Sequence, residues 1–138
     1  MDRMVVDASI AIAWVHPGQA TTQTDALLIQ VGQGTQVVAP ALWALELANA
    51  LLTLERRKKL TAEDRTAALK ALQALAVTLD HEMSVLAFSE LSTLASELDL
   101  TVYDAAYLEL ALRLKLPLAC KDGPLREAAR QRRVRAVP

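Results

Sequence analysis

MVVDASIAIAWV, residues 4–15, decides the reading of this chain. Met4, Val5 and Val6 form a short apolar run with the β-branched residues that suit a buried strand. Asp7 ends that run, and Ser9 to Val15 reads as a short helix stopped by His16-Pro17-Gly18. The same order returns near the other end. Leu116 to Cys120 reads as a strand, Asp122 follows it, and Gly123 to Arg132 reads as a helix. Both acids stand where a strand gives way to a helix.

Working outward, residues 20–31 look helical and are ended by Gly32 and Gly34. Gln36 to Ala39 is a second strand, and Pro40 separates it from a helix running from Leu42 to about Lys58. Thr61 and Asp64 have capping-box spacing and open a helix to about Ala76. Val77 to Leu79 fits a short strand. Ser84 to Leu98 reads as one helix, and Val102 as a brief connector touching the sheet. Asp104 to Leu114 is a further helix, and Val134 to Val137 a last edge strand. Short apolar strands alternating with helices imply a three-layer α/β fold around a parallel sheet of about four to five strands. No repeat, linker or low-complexity stretch interrupts residues 1–138, so a single domain is expected.

Composition narrows the class. The chain has 138 residues, 53% of them hydrophobic, with four Gly and five Pro, which excludes disordered and collagen-like sequence. One cysteine, Cys120, cannot form an internal disulfide, and no apolar run reaches the roughly 18 residues of a membrane span. The N-terminus lacks the charge pattern and cleavage site of a signal peptide, so a cytoplasmic, non-membrane protein is expected. Fifteen Lys and Arg against sixteen Asp and Glu leave a net charge of −1. That charge is unevenly spread: from Arg113 to Pro138 there are eight basic residues and two acids. Such a patch can steer a polyanion, although cations at a helix end also oppose its dipole.

Four carboxylates are out of place. Asp7 interrupts VVDASIAIAWV, Glu46 interrupts APALWALELANALL, Asp104 sits in TVYDAAYLELAL, and Asp122 follows LPLACK. An ionised carboxylate near apolar walls is costly unless it is paired, hydrogen-bonded or bound to a cation. Each has a plainer explanation. Asp7 and Asp122 are suitable N-caps, Thr101 to Asp104 fits a capping box, and Glu46 shares a wet stripe with Asn49 and Thr53. Jointly those explanations weaken, because strand ends and helix starts share the edge where open α/β sheets bind ligands. Glu46 comes from a helix that looks buried around most of its circumference, and its carboxylate can point across that edge. Oxygen ligands of this kind select Mg²⁺ or Mn²⁺.

With these residues in order, the sequence resembles the PIN-domain ribonucleases, and within them the VapC-type toxins of toxin–antitoxin pairs. VVDASI is similar to the family's opening strand and Asp-x-Ser, PALWALELANAL to its acidic helix, and YDAAYLELALRLKLPLACKD to its third and fourth acids. The resemblance implies a Rossmann-like sandwich and a Mg²⁺- or Mn²⁺-dependent endoribonuclease. It assigns Asp7, Glu46, Asp104 and Asp122 to the metal-binding and catalytic site, with Ser9 as hydroxyl neighbour. One position departs from the pattern: Cys120 stands where the family commonly has Thr or Ser, and a thiol is the poorer hydrogen-bond partner.

The resemblance also implies a homodimer and an antitoxin whose peptide lies along the acidic groove. Lys121, Arg126, Arg130, Arg132 and Arg133 are candidates for contacts to the RNA backbone. Five aromatic residues offer little material for base stacking. Rival readings are a binding-only PIN-type domain, a small Mg²⁺-dependent phosphohydrolase, and a receiver domain, which would show adjacent acids after its first strand.

Overall fold

The computed structural model describes residues 2–121 and 123–138. Five strands, β1 (Arg3–Val6), β2 (Gln36–Pro40), β3 (Val77–Asp80), β4 (Leu118–Ala119) and β5 (Ala136–Val137), form one sheet in the order β3-β2-β1-β4-β5. All four pairings are parallel. Strand β1 lies at the centre, and Met4, Val5 and Val6 are completely buried. That burial explains an apolar run without alternation: both faces of the strand are covered.

Among the described residues eight α-helices cover the sheet: α1 (Ala8–Val15), α2 (Thr22–Gly32), α3 (Leu42–Arg56), α4 (Ala62–Ala74), α5 (Met83–Leu86), α6 (Glu90–Leu98), α7 (Val102–Leu114) and α8 (Pro124–Gln131). From β1 the chain steps outward to β2 and β3, then returns past β1 to β4 and β5. Right-handed crossovers therefore put α1 to α4 on one face and α5 to α8 on the other. The packing agrees: α1, α2, α3 and α4 touch one another, while α7 packs on α6 and α8. The direction of winding reverses between β1 and β4, and Asp7 sits at the carboxyl end of β1 beside that gap.

The strands and long helices lie where periodicity puts them, with three corrections. Residues 84–98 form two helices, because Ser89 adopts φ −126°, ψ −97° and breaks the ladder. Its hydroxyl bonds Leu86 O and the Glu90 carboxylate, the local competition by which serine interrupts helices. Val102 is not a connector but the exposed first residue of α7, because the Thr101 hydroxyl caps the helix there. Finally, α3 is not buried around most of its circumference. It buries one stripe, Trp43, Leu47 and Leu51, while Leu45 is 76% exposed. Among the described residues no helix is long and apolar enough to cross a membrane.

Candidate active site

Asp7 both caps α1 and faces the gap. Its Oδ2 accepts hydrogen bonds from the Ser9 amide at 3.3 Å and the Ser9 hydroxyl at 2.6 Å. The Asp7 amide donates to Ala119 O at 2.9 Å, which fixes the end of β1 against β4. Ser9 Oγ in turn accepts from the Lys121 amide at 3.4 Å, tying the segment after β4 to the first turn of α1. The capping explanation for Asp7 is therefore correct, and it coexists with a half-buried carboxylate at the sheet edge.

Glu46 reaches this edge from α3 on one face of the sheet, and Tyr107 reaches it from α7 on the other. The Tyr107 hydroxyl donates to Glu46 Oε1 at 2.5 Å. Asp104, one helical turn before Tyr107, has its amide capped by Thr101 Oγ1 at 3.0 Å. Among the described residues its carboxylate accepts no hydrogen bond, so the cap does not occupy it. Sequence reasoning missed Tyr107. Its position three residues after Asp104, on the same helix face, was the available signal.

The electrostatics follow from this crowding. Burial pushes the proton affinity of Asp7 above the ordinary carboxylate range, against the opposing effect of the Ser9 bonds. Burial also raises Glu46, opposed by the Tyr107 bond and reinforced by the charges of Asp7 and Asp104. Asp104 is raised by burial and then by Asp7. Tyr107 is held neutral, first by burial and then by its bond to Glu46. Among the described residues no Lys or Arg forms an ion pair with any of the three acids.

This donor set, all carboxylate and without an internal cation, fits a hard divalent ion. The three described acids do not close into a cage: among the described residues no group of three His, Cys, Asp or Glu is placed to hold a metal ion. Asp122 lies outside the described residues. A groove of about 320 Å³ adjoins the acids, lined by Ala8, Ser9, Gln19, Glu46, Thr53 and Leu54 among others. Thr53 shares it with Glu46, as their common stripe predicts.

The sequence profile of the PIN-domain family matches residues 4–131. The chain is a PIN domain. It belongs to a family whose members are generally nucleases. Two solved structures share the fold of this PIN domain. PAE2754 from Pyrobaculum aerophilum is 23% identical, with a TM-score of 0.68 over 91% of this chain and 84% of that one. FitAcB from Neisseria gonorrhoeae is 15% identical, with a TM-score of 0.66 over 98% and 96%. Among curated protein sequences no relative matches.

The candidate RNA contacts divide by location. Lys121 Nζ donates to Gln19 O at 3.0 Å, and Arg126 donates to Cys120 O at 3.1 Å and Pro138 O at 2.7 Å. Both therefore brace the backbone on either side of the β4–α8 connection. Arg130 pairs with Glu127, and Arg132 with Glu97 at 2.7 Å. Arg133 lies at the amino edge of the sheet, away from the acids. The Cys120 thiol is buried at the end of β4.

Proposed function

We propose that this PIN domain is a metal-dependent endoribonuclease and the toxin of a toxin–antitoxin pair. The observation that carries the reading is the group of Asp7, Glu46 and Asp104. Three carboxylates repel one another at the sheet's switch point, with no cation of the described chain paired to them. A bound cation would relieve that repulsion.

Asp7, Asp104 and Glu46 would hold Mg²⁺ or Mn²⁺, with Asp122 completing the set. Bound there, the ion supplies Lewis-acid polarisation of a phosphate and a more acidic water. The chain's own contribution is orientation. Ser9 fixes Asp7 through Oδ2 and leaves Oδ1 without a Ser9 bond. Tyr107 engages Oε1 of Glu46 and leaves Oε2 to orient a water and accept its proton. The raised proton affinity of Glu46 suits that role. With a cation held among them, the carboxylates would no longer repel the substrate phosphate.

The groove suits the partner that the resemblance implies. Its walls include Ala8, Ile12, Ala50 and Leu54, and Glu46 gives it one acidic end. An antitoxin helix with apolar residues and one cationic side chain would match both. A homodimer belongs to the same proposal, supported by the exposed Leu45 on α3.

The decisive experiment measures cleavage of a structured RNA and of a small phosphodiester, with Mg²⁺, Mn²⁺ or a chelator. Metal-dependent RNA cleavage that Asp7→Asn and Asp104→Asn both abolish supports the nuclease. Cleavage of the small ester alone points to a phosphohydrolase. Binding of RNA with no cleavage under any metal points to a binding-only domain.

A further inference from the structure

The amino edge of the sheet carries a second concentration of charge, of opposite sign to the first. Arg3 opens β1, Arg135 precedes β5, Lys115 follows α7 and Arg133 follows α8. Because the strands are parallel, the residues that enter them share one edge. There Arg3, Lys115, Arg133 and Arg135 wall a cleft of about 690 Å³ in which Asp2 is the only acid among the described residues. Four cations against one carboxylate leave a formal charge of +3. All four are exposed, and among the described residues none forms an ion pair. By contrast Arg65, Arg113, Arg130 and Arg132 all do.

Helix dipoles account for part of this. Lys115 and Arg133 lie just past helix carboxyl ends, where a cation is favoured. They do not account for Arg3 and Arg135, which stand at strand entries. Nor do they explain the backbone. Lys115 and Arg133 adopt φ of 56° and 59°, a left-handed conformation that glycine takes with least strain. At both positions the chain carries a long cation instead, as it also does outside the cleft at Lys58, where φ is 59°.

The dimensions select the ligand. Strands β1 and β5 flank β4, so Arg3 and Arg135 lie about two strand spacings, roughly 10 Å, apart. That span is more than one free phosphate can bridge, and suits a ligand that carries several linked phosphates. We propose that this cleft binds the phosphodiester backbone of a nucleic-acid strand. It holds a stretch about 13 Å or more from the acids, four residues of β1 away. The inference does not depend on whether the acidic group cleaves.

The test uses the full chain in chelator, so that no cleavage intervenes. Anisotropy of a labelled single-stranded RNA of about 20 nucleotides gives the Kd and its salt dependence. Lys115→Gln with Arg135→Gln should weaken binding about tenfold or more at low salt. The same pair should flatten the log–log salt slope by about 1.4, at ~0.7 for each lost contact. Arg56→Gln with Arg57→Gln removes equal charge from the exposed end of α3 and should do much less. Lys115→Gly should raise the Tm, by relieving the left-handed backbone, and still weaken binding. This single variant carries the test if the double one unfolds early. Unlabelled RNA should displace the probe far better than inorganic phosphate or polyglutamate at equal charge. Equal losses in the cleft and control variants would overturn the proposal. Displacement by polyglutamate as effective as by RNA would overturn it too, in favour of an acidic peptide.

Discussion

The Tyr107 hydroxyl and the Glu46 carboxylate, 61 residues apart, meet at 2.5 Å across the carboxyl edge of the sheet. The bond joins helices packed on opposite faces, and it occupies one of the two oxygens that Glu46 brings to the acids. Removing the hydroxyl frees that oxygen and removes an influence that lowers the Glu46 proton affinity. Tyr107→Phe should therefore reduce RNA cleavage about 10- to 100-fold. It should also move the acidic limb of the kcat/KM–pH profile to higher pH. The ring stays buried, so stability should fall only by about 1–3 kcal/mol for the lost bond to a charged group. A loss of activity with an unshifted profile would show that the bond only supports the fold.

Asp7→Asn tests the crowding of the acids. Burial raises the Asp7 proton affinity in the folded chain above its unfolded value. The ionised group therefore costs stability above both values, and the cost disappears as pH falls through the raised value to the ordinary range. Asparagine keeps the cap and removes the charge. Without metal the variant should be more stable than the wild type at neutral pH, with the advantage vanishing in acid. Mg²⁺ or Mn²⁺ should raise the Tm of the wild type and not of the variant. Cleavage should fall at least about a hundredfold, since metal polarisation is worth several kcal/mol. An equal metal response in both proteins would remove the shared site.

Asp80 and Arg113 provide the opposite pH sign at a place unrelated to the chemistry. Arg113 Nη1 and Nη2 reach Oδ1 and Oδ2 of Asp80 at 3.1 and 2.8 Å, which pins the end of edge strand β3 to α7. The guanidinium holds the Asp80 carboxyl below its ordinary range. The stability it contributes is present above the unfolded pKa and is lost as pH falls through the lowered folded value. Solvent screening limits the pair, so Asp80→Asn should cost about 0.5–1 kcal/mol at neutral pH in urea unfolding. That difference should close in acid. A constant difference would mean that packing, not charge, carries the contact.

Much of this was legible because residue type and spacing point the same way. The buried run Met4 to Val6, the caps at Asp7, Thr61 and Thr101, and the acids Asp7, Glu46 and Asp104 at one edge all follow from local rules. What was not legible depends on contacts between distant segments. Tyr107 reads as a core aromatic until α3 brings Glu46 to it. Lys121 and Arg126 read as free cations until the fold supplies Gln19 O, Cys120 O and Pro138 O. The arginines near the C-terminus read as one patch. The short strand β5 instead divides them, carrying Arg133 and Arg135 to the amino edge with Arg3 and Lys115. Ser89 broke a helix that composition alone would have continued.

The last prediction concerns self-association. On α3 the stripe of Trp43, Leu47 and Leu51, flanked by Leu42, Ala50 and Leu54, packs on the core, yet Leu45 is presented to solvent at 76% exposure. A single exposed leucine needs no explanation, but here it lies on a helix whose exposed side also carries Ala44 and Ala48. Leu45→Asp removes no core contact, so its effect on monomer stability should stay within about 0.5 kcal/mol. A buried charge at a dimer interface costs far more, because it would be desolvated without a partner. Light scattering across a concentration series should show a dimer for the wild type and a monomer for the variant, with unchanged helical content. A wild-type chain that stays monomeric at high concentration would rule out the homodimer. A variant that still dimerises would move the interface away from α3.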